Sequence, residues 1–377
     1  MTKIFFLQFL FVVAISVSCK ERFEPAVIQT DLSALVVDGF INNTSDTTFI
    51  YLSRTKKLGS GILNSQENNA QLSIEDANGN TLYHFQQLND SGTYIVPGIN
   101  LDKNNKYRLR IITSNSKQYL SDEIPVVKTP PIDSIAFAKT DKGVVIHANT
   151  HDPLNNTRYY RWQYTETWNY HSRYVSTLTY KDGSVIDRPL QDYIYDCWKT
   201  QKSTELLLGS SAKLSDDIIY HNPIRGIDQN SFELSIKYFI FLKQYALTKA
   251  SYEYIVDLKK ITEQTGSIFD AQPSQLTDNI HALNNPDEPV LGYITVSTEE
   301  SKKLYITNAE VQPWFYLMPC TERKIKLEDF SLYFGKQGLI PTRKEGSGMA
   351  LQVYGSERIC VDCRALGGTT TKLGFWQ

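Results

Sequence analysis

A chain of 377 residues with 39 lysines and arginines against 41 aspartates and glutamates has a formal net charge of −2, which leaves no broad basic surface for nucleic acid. Its 23 tyrosines and 17 phenylalanines favour pleated, half-buried surfaces, so the composition points to a mainly β protein. The length exceeds one ordinary hydrophobic core, and two or three domains are expected.

The N-terminus reads as an export signal. Lys3 supplies a positive charge, and Ile4 to Val17 is apolar except for Gln8 and Ser16. That run is shorter than the ~20 apolar residues needed to span a bilayer as a helix, and it has the length of a signal-peptide core. Ser16-Val17-Ser18-Cys19 resembles the lipobox of bacterial lipoproteins, with Ser16 where leucine is usual. Residues 1–18 are therefore expected to be removed as a signal peptide. Cys19 is expected to carry the lipid, since acyl chains on one residue tether a protein stably to a membrane. Residues 19–26, charged and then broken by Pro25, form a stalk. The charged run after Cys19 resembles the signal that sends some Bacteroidota lipoproteins to the outer face of the outer membrane. Cell-surface and periplasmic faces both stay open.

Residues 27–127 read as short strands: Ala34 to Ile41, Thr47 to Leu52, Ala70 to Glu75, Thr81 to Gln86, Gly92 to Val96, Tyr107 to Thr113 and Gln118 to Val127. Gln71 to Glu75 and Tyr107 to Ile111 alternate as strands with one wet face do. Asp76-Ala77-Asn78-Gly79-Asn80 is a hairpin turn with Gly79 suited to positive φ; it lacks the later glutamate and flanking helices of a calcium loop. About seven strands at this spacing predict an immunoglobulin-like β-sandwich. Lys128-Thr129-Pro130-Pro131 then reads as a linker, because two prolines cannot continue a strand.

Residues 132–377 are expected to form a second fibronectin- or immunoglobulin-like β-domain with an α-helical insertion at about 190–285. Tyr160, Trp162, Tyr164 and Trp168 share one parity and so one strand face. They form either an aromatic platform for a ligand or, as preferred here, the core of the sandwich. Within 190–285, Thr248 can cap a helix that carries Tyr252, Ile255, Leu258 and Ile261 along one stripe and ends near Gly266. The tail from about Glu310 holds prolines, glycine turns and most of the remaining cysteines.

Cys197, Cys320, Cys360 and Cys363 form an even set in a chain read as exported, which favours disulfides. The preferred pairings are Cys197 with Cys320 and Cys360 with Cys363. A tetrathiolate zinc site is the alternative, but it lacks a second closely spaced pair.

Several segments together resemble a Bacteroidota lipoprotein family known as domain-of-unknown-function family 4249. They are Leu35-Val36-Val37-Asp38-Gly39; Gln244 to Leu247 leading to Ser251-Tyr252-Glu253-Tyr254; Gly266 to Gln275; Asn285 to Tyr293; and Cys360 to Arg364 with Gly367 to Thr370 and Phe375-Trp376. The resemblance implies no established activity. It implies outer-membrane lipoproteins encoded beside TonB-dependent receptors, and hence a part in uptake.

Catalytic signatures are missing. There is no nucleophile elbow, no His-Glu-x-x-His, no phosphate-cradling loop and no nucleotide fingerprint. His147 and His151, four steps apart on a strand, would stand roughly 13 Å apart, too far for one metal. No metal or cofactor is expected. A dispersed pair of carboxylates, as in a glycosidase, needs no local motif. The best candidate binding residues are Phe269, Gln272 and Gln275, in a long segment that follows the helix. The expected function is that of a non-catalytic accessory of a TonB-dependent transporter, binding a peptide, a glycan or the transporter itself. An envelope hydrolase and a structural adhesin-like module are the alternatives.

Overall fold

The computed structural model describes residues 33–56, 64–263 and 276–376. Strand accounts for 47% and helix for 14% of the structure, as the abundance of tyrosine and phenylalanine predicts. None of the described helices is long and apolar enough to cross a membrane.

Two sheets share the N-terminal apolar cluster. One runs Val290–Leu291, Leu35–Gly39, Thr48–Thr55, Thr93–Val96, Gln86–Asn89, with Asn64–Gln66 also on Thr48–Thr55. The other runs Ile41–Asn42, Val296–Ser297, Ile124–Val127, Lys106–Ile112, Gln118–Ser121, Ile280–Ala282, with Gln71–Asp76 and Thr81–His84 joined through Lys106–Ile112. Ile50, Leu52, Leu109, Ile111, Tyr94 and Tyr119 meet between them. Lys106–Ile112 alternates as expected. Gln71–Asp76 does not: Leu72 to Glu75 are all buried, because the strand is paired on both edges and Glu75 is met by Arg110. The Asp76 turn forms as predicted, its carboxylate accepting the Asn78 and Asn80 N–H groups at 2.9 Å and Gly79 standing at φ +83°.

Residues 27–127 do not close this cluster alone. Ile280–Ala282, Val290–Leu291 and Val296–Ser297 return to it, and the last two pair in parallel with Leu35–Gly39, Ile41–Asn42 and Ile124–Val127. Parallel partners can come from anywhere in a chain, and two-residue strands carry no periodicity to read.

The second apolar cluster lies between the sheet Ile132–Thr140, Gly143–His151, Ile218–Asp228 and the sheet Asp196–Lys202, Tyr159–His171, Lys237–Ala246, Glu299–Thr307. Tyr160, Trp162, Tyr164, Trp168 and Tyr170 all bury in it, so this face is core rather than platform. The non-β insertion expected over about 190–285 is corrected: residues 196–246 carry four strands of these sheets, Asp196–Lys202, Leu207–Ser210 (paired with Tyr159–His171), Ile218–Asp228 and Lys237–Ala246. Their alternation was masked in two ways. Lys237–Ala246 is a central strand with both faces largely covered, and Ile218–Asp228 is broken by register shifts near Pro223 and by His221 at φ +53°. The helix itself stands at Lys249–Glu263, with the Ser251 N–H on the Thr248 hydroxyl at 3.2 Å; Gly266 lies outside the described residues.

A third apolar cluster forms on a further three-stranded sheet, Arg323–Lys326, Gln352–Ser356, Ile340–Glu345, and packs Ile325 and Val353 with Phe330, Phe334 and Leu178. The disulfide pairings differ from those preferred above: Cys197 joins Cys363 and Cys320 joins Cys360. The short helix Arg358–Val361 and the turn at Asp362 send neighbouring cysteines to different places. Cys363 enters the large cluster beside Cys197, whereas Cys360 packs with Ile194, Val361 and Cys320. The bridges span 166 and 40 residues, which chain-entropy arguments rate at about 5 and about 4 kcal/mol.

Candidate functional site

The strand Tyr159–His171 has a second face. Opposite its aromatic row stand Tyr159, Arg161, Gln163 and Thr165. Tyr159 packs on Tyr252 of the helix, ring centroids 4.9 Å apart. Arg161 lies cross-strand from Tyr245, and beyond it Gln163 and Thr165 line one cavity with Phe49 and Tyr51 of the strand Thr48–Thr55 and with Asp46 and Thr47 just before it. Two adjoining cavities open over this face, of about 480 and about 410 Å³. Asp38, Gly39, Phe40, Arg161 and Tyr245 line both.

The larger cavity is walled by Val36 and Val37, by Ser251, Tyr254, Ile255 and Leu258 of the helix, and by Leu291, Gly292 and Tyr293. Its shape depends on close backbone approach. A Cβ on Gly39 would stand 2.5 Å from the Phe49 carbonyl oxygen, and one on Gly292 2.2 Å from that of Val37, both at left-handed φ; glycine is required at each. The Tyr254 ring lies tilted against that of Tyr293, centroids 5.3 Å apart, and its hydroxyl is pushed up by burial and by Asp278. Asp278 is itself raised by burial, while it accepts the Gly292 N–H at 2.9 Å.

The smaller cavity carries a satisfied charge network. Lys243 reaches Glu299 at 2.9 Å and Asp46 at 3.2 Å, and the Tyr245 hydroxyl donates to Glu299 at 2.8 Å. Burial works against the Lys243 charge, but Glu299 and Asp46 outweigh it and hold the ammonium above its ordinary value. Burial, then Glu299, pushes the Tyr245 phenol up. Phe40 packs on Tyr245 at 4.3 Å.

Arg161 is different. Its side chain makes no hydrogen bond or ion pair with any described residue, and its Nε is buried without a partner. Burial draws the guanidinium below its ordinary value, and Asp38 and Tyr245 offset only part of this. Arg54, Arg188 and Arg225, also shielded from solvent, each bond to carboxylates, hydroxyls or carbonyls. Ser251, 1% exposed, likewise has an Oγ with no partner. Buried polar groups are ordinarily satisfied, so two exceptions lining one cavity single it out.

The residues expected from sequence fall elsewhere. Cys19, Phe269, Gln272 and Gln275 lie outside the described residues; Leu276, the first described residue after them, lines the larger cavity. Cys197, Cys320, Cys360 and Cys363 are all disulfide-bonded. His147 and His151 are not brought together: His151 bonds Asp133 at 2.8 Å, while the His147 ring lies 4.2 Å from that of His221. Among the described residues no three His, Cys, Asp or Glu side chains are grouped to hold a metal. Arg161 was missed in the sequence. The available signal was a cation set between Tyr160 and Trp162, whose parity points it away from the core.

A family profile described as "Domain of unknown function (DUF4249)" matches residues 20–303. Comparison with curated proteins finds no match. Among solved structures, one described as "Biofilm associated protein - BSP domain" aligns at 8% identity over 74% of this chain and 59% of that one, with a TM-score of 0.14. The chain thus spans less than two thirds of that structure, and a score so low establishes no common fold.

Proposed function

The chain belongs to the DUF4249 family, and on that premise we propose that it is a non-catalytic, lipid-anchored protein of the outer membrane that serves a TonB-dependent nutrient transporter as accessory or ligand-binding partner. The observation that carries the reading is the larger cavity. Four segments by which the chain resembles its family converge there: Val36 to Gly39, Tyr245 and Leu247, Ser251 and Tyr254, and Leu291 to Tyr293 all line it. Its volume, about 480 Å³, and its apolar walls with few polar groups are those of a small-molecule or side-chain pocket. Among the described residues, the larger cavity is lined by Asp38 as its one carboxylate, and by no histidine or cysteine; that composition favours holding a ligand over transforming it. The lipobox-like Ser16 to Cys19 segment supports membrane attachment, and Cys19→Ala is expected to release the chain from the membrane fraction and abolish acyl labelling.

Co-purification tests the partnership. The tagged full chain, isolated from detergent-solubilised outer membranes, should bring down a TonB-dependent transporter in near-stoichiometric amount. Recovery of the chain alone, with the membrane intact beforehand, would refute the accessory role.

A further inference from the structure

The larger cavity has a chemical bias that the binding reading does not specify. Its unpaired groups are a guanidinium, which presents donors in a rigid fork suited to a carboxylate, and a buried hydroxyl, which can add one more donor. Around them the walls are aliphatic and aromatic: Val36, Leu206, Leu258, Leu291 and Tyr293. Of the two lysines that line the adjoining cavity, Lys243 is shared by Glu299 and Asp46, and neither it nor Lys202 lines the larger one. Asp38, which lines both cavities, offsets part of the Arg161 charge. Among the described residues that line the larger cavity, the charged groups are therefore one guanidinium and one carboxylate, and a dianion such as phosphate meets repulsion that a singly charged group largely escapes.

We propose that Arg161 and Ser251 form the anion end of a site for a monocarboxylate on an apolar body, the body lying against Leu258 and Leu291. This deepens the binding function proposed above and rests on it. Two sources share the chemistry: the C-terminal residue of a peptide with an apolar side chain, and a fatty acid. An empty site leaves a buried cationic nitrogen and a buried hydroxyl unsatisfied, each an unfavourable state. A bound carboxylate relieves at least the first by neutralising the guanidinium.

The test is calorimetric titration of the detergent-solubilised full chain with four probes: N-acetyl-phenylalanine, its C-terminal amide, hexanoate and inorganic phosphate. Saturable binding of N-acetyl-phenylalanine identifies the peptide source, and of hexanoate alone the fatty-acid source; either supports the site. The amide should bind at least about tenfold more weakly than the acid, the factor expected for losing a charge-assisted hydrogen bond. Arg161→Met should weaken the acid by a similar factor and leave the amide unchanged, and Arg161→Lys should fall between. Equal affinity for acid and amide would overturn the inference, as would phosphate binding tighter than either carboxylate, or no saturable carboxylate binding. The acid–amide comparison uses the unaltered chain, so it stands even if a variant fails to fold. Failure here leaves the transporter partnership to be decided by co-purification, and carboxylate binding without a co-purifying transporter would keep this site and remove that partnership.

Discussion

The two faces of the strand Tyr159–His171 show how one run of residues can serve stability on one side and recognition on the other. On the inner face the large side chains are buried and several of their polar atoms are met. The Trp162 Nε1–H donates to Gln244 at 2.9 Å, and Gln244 in turn donates to the Pro130 carbonyl and the Thr150 hydroxyl, both at 2.9 Å. Tyr160 donates to Asp217, and Tyr238 donates to Glu166 at 2.6 Å, which Arg225 also holds at 3.0 Å. On the outer face, one residue from Trp162, Arg161 has no such partner among the described residues. Natural proteins break local rules chiefly at functional sites, and the lesson is that alternate positions of one strand can be under separate demands.

If the inner face is structural, damage there should be costly. Replacing Cys197 and Cys363 together by alanine opens the 166-residue loop and should remove about 5 kcal/mol of stability, read by chemical denaturation of oxidised protein. A loss under about 1 kcal/mol would show that the inner face does not depend on that bridge. Trp162→Ala empties a fully buried ring position and strands the Gln244 carbonyl, for a loss of about 4 kcal/mol. Near-neutrality would mean that the aromatic row is a platform after all.

The cavity wall gives a pH-dependent intermediate case. Glu288, in the segment that leads to Leu291 and Gly292, meets Lys117 at 2.7 Å and Arg54 at 3.3 Å and accepts the Tyr119 hydroxyl at 2.6 Å. Burial alone would raise its carboxyl, but Lys117, Tyr119 and Arg54 outweigh it and hold it below the usual 4.5. A depressed folded-state value means stability that is present above pH 4.5 and lost as pH falls through the folded value. Glu288→Gln should therefore cost about 2 kcal/mol at neutral pH and flatten the acid limb of the stability curve below pH 4.5. An acid limb as steep as before would assign the dependence to other carboxylates.

The same contrast explains what the sequence could disclose. The helix at Lys249–Glu263 was legible because Thr248 and an apolar stripe mark it, and the Asp76 turn because aspartate and glycine chemistry is local. The inner face of Tyr159–His171 was legible from its parity. What was hidden is non-local. Val290–Leu291 and Val296–Ser297 acquire their role only from parallel partners over 150 residues away. The cysteine partners depend on how the Asp362 turn splits Cys360 from Cys363, which spacing does not encode. The apparent linker is another case: Thr129 is buried, with its N–H on Thr298 at 2.8 Å and its hydroxyl accepting the Ala246 N–H at 2.9 Å. Two prolines stop a strand, but they do not free the chain. The cavity belongs to the same class, since Asp38, Arg161, Tyr245, Tyr254 and Gly292 meet only through the fold.

The smallest effect bears most directly on the claim that Arg161 is kept for a ligand rather than for the fold. Substituting a structural arginine whose partners are buried commonly destabilises by 3 kcal/mol or more. Arg161, with no partner among the described residues to strand, should behave otherwise, because removing an unpaired and partly buried cation also removes its desolvation penalty. The decisive measurement is the unfolding free energy of Arg161→Met against the unaltered chain by urea denaturation without added ligand. The account predicts a value within about 0.5 kcal/mol of the unaltered chain, or a gain; a loss of 3 kcal/mol or more would show that Arg161 holds the fold together and that the cavity was not built around it.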